Sequence, residues 1–103
     1  APIGNPGPSA PAAVSYNSDL TALANSIVDE KTARAAIPKV SDFESKISLP
    51  ADKAALAFTE AKASMIAIGA EKGCRMMRLV RREQLNSELK GDLDDALKEC
   101  GSP

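Results

Sequence analysis

The 103-residue chain contains no His and no Trp, and only one Tyr and two Phe. Without imidazole the commonest general base is missing, and a thiol has no partner of the usual kind to activate it. Transition-metal sites lose their usual nitrogen ligand for the same reason. So few aromatics leave no stacking platform for nucleic-acid bases. They also require the core to be built from Ala, Leu, Ile, Val and Met. That is a helical palette, because Ala, Leu and Met are strong helix formers whereas strands favour aromatic and β-branched side chains. A charge excess is missing too. The 13 basic and 14 acidic residues give a net charge of −1, too little cationic character for a surface devoted to phosphate backbones. No stretch approaches the roughly 20 consecutive apolar residues that cross a bilayer, and no Asn-x-Ser/Thr glycosylation acceptor occurs.

A chain of this length is expected to form one domain with a modest core, burying about 60–65% of its unfolded surface. It starts at Ala1-Pro2 rather than Met, as a chain does after removal of a signal peptide, so secretion to the extracellular space is expected. The two cysteines, Cys74 and Cys100, fit that compartment. They have no CxxC spacing and are expected to pair as a disulfide.

Residues 1–16 are rich in Pro, Ala and Gly and carry no charge. Such a segment cannot offset its ordering entropy by burial, so a disordered tail is expected there, with a helical domain over residues 17–103. A first helix is expected at about residues 18–35, capped by Asn17 or Ser18, with Leu20, Leu23, Ile27 and Val28 on one face. Pro38 then interrupts the chain. Val40, Phe43 and Ile47 carry a second helix, or a kinked continuation of the first, ending at Leu49-Pro50. Over residues 51–72 two apolar seams run along one helix. One comprises Ala54, Phe58, Ala61, Met65 and Ile68; the other comprises Leu56, Thr59, Ala63, Ile66 and Ala70. The seams face opposite sides, as a central, buried helix requires.

Gly73 marks the next break. Beyond it, Met76, Leu79 and Val80 alternate with arginines, and Leu85, Leu89, Leu93 and Leu97 recur at four-residue steps. One straight helix from Cys74 to Cys100 would separate the cysteines by about 39 Å, against the roughly 7 Å that a disulfide tolerates. A hairpin is therefore required. Its turn falls near Asn86-Ser87, with Gly91-Asp92 as the competing break. Residues 61–82 carry a net charge of +5 and residues 83–103 a net charge of −4, which suits antiparallel pairing. The expected register sets Arg75 opposite Glu99, Arg78 opposite Asp95 or Ala96, and Arg82 opposite Asp92.

The fold expected is all-α, a small helical bundle of four to five helices with one disulfide and a disordered N-terminal tail. Enzymatic chemistry is not expected, nor is a cofactor or a metal. Asp92, Asp94, Asp95 and Glu99 do not follow the EF-hand spacing and read as a solvated helix face. The candidate contact surface is the basic stripe of Lys72, Arg75, Arg78, Arg81 and Arg82, whose competing role is internal pairing with the acidic last helix. A candidate apolar-ligand wall comprises Phe58, Met65 and Ile68, with Met76 and Met77 as adaptable neighbours.

No family motif occurs. In general composition, with its Pro/Ala-rich lead, small helical domain and few cysteines, the chain resembles many secreted microbial proteins, fungal effectors and cell-surface antigens among them. What this resemblance implies is an interaction protein, and together with the missing catalytic groups the reading is a monomeric, non-enzymatic one with a protein partner. The alternative is an extracellular carrier of a fatty acid or similar apolar ligand.

Overall fold

The computed structural model describes residues 14–101. Most of the expected tail therefore lies outside the described residues. Its last position, Tyr16, is already anchored: its ring packs edge-on against Phe43 at 5.8 Å. Its backbone N–H donates to Asp52 Oδ2 at 2.8 Å.

Five helices follow, and no strand occurs among the described residues. Helix α1 spans Asn17–Ser26. Leu20, Leu23 and Ala24 are buried, and they recur at the three- and four-residue steps that keep side chains on one helix face. Neither Asn17 nor Ser18 caps it. The Asn17 side chain instead donates to the Ala51 carbonyl and accepts from Asn86. Helix α2 spans Glu30–Glu44, so the chain breaks at Ile27–Asp29 and not at Pro38. Asp29 caps α2 by accepting from Thr32 N–H while the Thr32 hydroxyl accepts from Asp29 N–H, a reciprocal box that satisfies two otherwise unpaired donors. Pro38 lies inside α2, where it removes one hydrogen bond to the Arg34 carbonyl. Both residues are exposed, so water can reach the freed group.

Helix α3, Pro50–Ala67, begins with proline at its first position, where the absent N–H costs nothing. Ala54, Ala55, Leu56, Phe58, Ala61 and Ala63 are all buried. The helix packs against α1, α2 and the two helices that follow it, so both seams are covered over most of its length. Helix α4, Ala70–Leu79, starts earlier than expected because the break falls at Ile68–Gly69. Gly73, expected to be the break, sits within α4 at its closest approach to α3. A Cβ at that position would lie 2.3 Å from Met65 Cβ, so the crossing requires glycine.

After Leu79 the chain leaves the helix and makes a 3₁₀ turn at Arg82–Gln84. Helix α5 then spans Ser87–Glu99. Its cap is Asn86, which accepts from Leu89 N–H at 2.9 Å and donates to Asn17 and Thr21 of α1. Leu85, Leu89 and Leu93 are buried, and Gly91 lies unbroken inside the helix. The disulfide Cys74–Cys100, with Cα atoms 5.8 Å apart, ties the middle of α4 to the end of α5. The architecture is an all-α bundle of five helices with one disulfide.

Candidate functional site

The inward face of α4 is taken by Gly73, Cys74 and Met77, all buried. Lys72, Arg75, Arg78 and Leu79 are consequently turned to solvent. Leu79 is 81% exposed, the most exposed of the large apolar side chains among the described residues. The cations beside it differ in how they are engaged. Arg82 is held by two 2.9 Å hydrogen bonds to the two carboxylate oxygens of Asp94. The Arg82 guanidinium in turn keeps the Asp94 carboxyl below the usual carboxylate range. Arg81 pairs with Glu83 at 3.2 Å. Arg75 reaches only Glu71 on its own helix, at 3.4 Å, and Lys72 and Arg78 make no ion pair among the described residues.

The expected register of pairs is therefore replaced. Arg75 lies near Glu99 without an ion pair to it, Arg78 makes none with Asp95, and Arg82 takes Asp94 in place of Asp92. The cause is local: α4 ends at Leu79, and the 3₁₀ turn carries Arg82 off the helical face on which that register depends. Arg75 and Arg78 instead line one shallow groove of about 340 Å³ with the disulfide and Glu99. Arg81 lies across a second groove, of about 490 Å³, with Lys53, Gln84 and Leu79 over a floor that includes Pro50, Ala54 and Ala57. Lys72 lines a third, with Ile37 and Ile68. Four of the five side chains of the basic stripe thus spread over three separate depressions.

The expected common wall of Phe58, Met65 and Ile68 does not form. Phe58 and Met65 line a groove of about 210 Å³ between α3 and α5. Ile68 follows the last residue of α3 and is 59% exposed, so it leaves the seam for the Lys72 groove on the other side. Met77 is buried in the core, and Met76 packs against that core.

Two features had no part in the expected site. The Phe58–Met65 groove carries Asp92, Asp95 and Glu99 along its α5 edge. Their spacing of three and four residues was legible as one helix face, but the apolar floor beside it was not. Asp52 is fully buried at the start of α3, with Oδ2 bonded to Tyr16 and Oδ1 without a hydrogen-bond partner. Nothing in the sequence marked it apart from an ordinary acidic residue in a first turn.

Among the described residues no cluster of His, Cys, Asp and Glu gathers where it could hold a metal ion. No helix among them is long and apolar enough to cross a membrane. Compared with protein-family models, with curated proteins and with solved structures, the chain matches none.

Proposed function

We propose that the protein is a small secreted, non-enzymatic interaction protein that binds an acidic protein partner through the exposed face of α4, in the manner of a microbial, fungal-type effector directed at a host or competitor. The observation that carries this reading is the company Leu79 keeps. An 81%-exposed leucine stands beside the cations of Lys72 and Arg78, which have no internal ion pair among the described residues, and Arg75, which has only a long one. An apolar centre ringed by available positive charge is the anatomy of a contact surface for an acidic partner. The disulfide fits an extracellular setting. With both cysteines consumed and no His in the chain, a thiolate nucleophile and an imidazole base are both absent.

The test is cross-linking capture from host extracellular fluid, read by quantitative mass spectrometry, with wild type beside the double variant R75Q/R78Q. Both side chains are exposed, so the variant keeps its helical signal, and recovery of an acidic partner is expected to fall at least about tenfold, the loss of one or two charge-assisted contacts. A K39Q/K46Q control, placed on the other side of the sequence, leaves recovery unchanged. Equal capture by R75Q/R78Q and wild type sinks the assignment.

The carrier reading has one observation in its favour. The Leu79–Arg81 groove, at about 490 Å³, falls in the range of about 300–1,000 Å³ usual for small-molecule pockets, and its cations suit a carboxylate head group. Native mass spectrometry of the oxidised protein after exposure to a lipid extract separates the two. A discrete lipid adduct supports the carrier, and a clean spectrum supports the interaction protein.

A further inference from the structure

We infer that the protein also associates head to tail with copies of itself, the Arg75–Leu79 ridge of one copy seating in the acidic, apolar groove between α3 and α5 of the next. The inference rests on the cationic ridge of the reading above and adds a second surface to it.

The second surface is the groove of about 210 Å³ lined by Phe58, Met65, Met77 and Ala96. Asp92, Asp95 and Glu99 stand along one edge, and none of the three makes an ion pair among the described residues. The internal pairing between the basic and acidic halves of the chain is spent on Glu83 and Asp94. Lys62 also lines the groove, but its ammonium donates to the Ala24 carbonyl at 2.8 Å and so caps α1. The floor contains two methionines, whose flexible thioethers adapt to an inserted apolar side chain. The groove therefore calls for an occupant with a projecting apolar residue and flanking positive charge.

The ridge of α4 has that composition: Leu79 projects, Arg75 lies one turn before it, and Arg78 is adjacent. One copy cannot fill its own groove. Met77 and Leu79 are two positions apart on one helix, about 200° around its axis. Met77 faces inward to the groove while Leu79 faces solvent on the opposite side. Leu79 thus cannot enter the groove of its own molecule and reaches one only on another copy; Glu99 lies at the border, lining both this groove and the one beside Arg75 and Arg78. With a net charge of −1, copies carry almost no overall repulsion to oppose the contact. Because ridge and groove are different surfaces, the interface is heterologous, and it propagates into rings or open chains rather than stopping at a symmetric pair. Exposed ion pairs are individually weak and screened by salt, so the association is concentration-dependent and salt-labile.

Sedimentation velocity over a wide concentration range, at low and high salt, tests this with two variants. R75Q/R78Q removes the ridge charges, and D92N/D95N removes groove charges that do not also border the ridge. Arg75, Arg78 and Asp95 are exposed and Asp92 is half-buried, so both variants keep the wild-type helical signal. The wild-type weight-average mass is expected to rise with concentration at low salt and to return to the monomer value at high salt. Each variant alone remains monomeric. An equimolar mixture forms a species of twice the monomer mass and no larger, because the mixed pair has one intact ridge facing one intact groove.

A wild type that stays monomeric at low salt overturns the proposal, and so does association that either variant retains alone. These failures are separable from those of the acidic-partner reading. D92N/D95N leaves partner capture intact if that reading holds, whatever the self-association does. Self-association lost in R75Q/R78Q while partner capture persists condemns the acidic-partner reading and leaves this one standing.

Discussion

Gly73 and Gly91 both lie inside helices, yet they ask for opposite things. An alanine methyl at Gly73 would overlap the backbone and Cβ of Met65, whereas at Gly91 nothing lies within 4 Å. The intrinsic gain from replacing helical glycine by alanine is about 0.5–1 kcal/mol, and overpacking costs typically about 1–3 kcal/mol. G73A is accordingly expected to lower the stability to urea by about 1–2 kcal/mol, and G91A to raise it by up to about 1 kcal/mol. A G73A protein as stable as wild type would mean that α3 and α4 do not approach this closely. Asp52 shows a different kind of local commitment. Its buried carboxyl group accepts from the Tyr16 N–H and so ties the start of α3 to the residue that precedes α1.

Among the helices, α2 holds an unrelieved defect. Proline in a helix interior costs about 3 kcal/mol relative to alanine in model helices, and Pro38 is exposed in mid-helix. P38A is expected to raise the melting temperature, with a gain of about 1–3 kcal/mol read from chemical unfolding. A fall would show that the proline sets a bend which α2 needs in order to lie along α3.

This element also shows what could and could not be read beforehand. Proline's local cost pointed to a break at residue 38, and tertiary packing overrode it: Ala33, Ala36 and Val40 are buried on both sides of the proline. The actual break was hard to see because Thr32 completes the capping box in place of the usual Glu or Gln. The central helix was legible because its two seams needed no knowledge of partners. The hairpin was legible because helical rise and disulfide reach are incompatible. The choice between Gly69 and Gly73 was not, since one glycine ends a helix and the other allows two helices to touch, and composition is blind to the difference. The basic stripe could be read as spacing, but which of its cations go unpaired depends on a register that the 3₁₀ turn resets.

The five helices are organised around α3, while charge is distributed by sign along the chain, and pH acts on this arrangement in one window. With no His, no side chain of ordinary pKa titrates between about pH 5 and 8. Hydrogen bonds from the Thr32 backbone and side chain hold the Asp29 carboxyl below its ordinary value of 3.8. The Arg82 hydrogen bonds do the same for Asp94. Folding therefore favours the ionised forms. Their stabilisation is fully present above the unfolded value of 3.8 and is lost as pH falls through the lower folded values. The melting temperature is expected to be flat from about pH 8 to 5 and to decline below about pH 4. In D29N/D94N that acid limb is shallower. A decline already evident between pH 7 and 5 would contradict this assignment of the titrating groups.

The bond between Cys74 and Cys100 has one further consequence, which concerns digestion. It closes a ring of chain that includes the exposed stretch Arg81–Glu83, which holds the one pair of consecutive arginines in the sequence and is a natural target for a protease that cuts after basic residues. A cut there opens the ring without dividing the protein. The piece ending in α4 and the piece beginning before α5 stay covalently joined, Leu85, Leu89 and Leu93 stay buried, and the nicked chain differs from the intact one by a single water until a reductant parts the two.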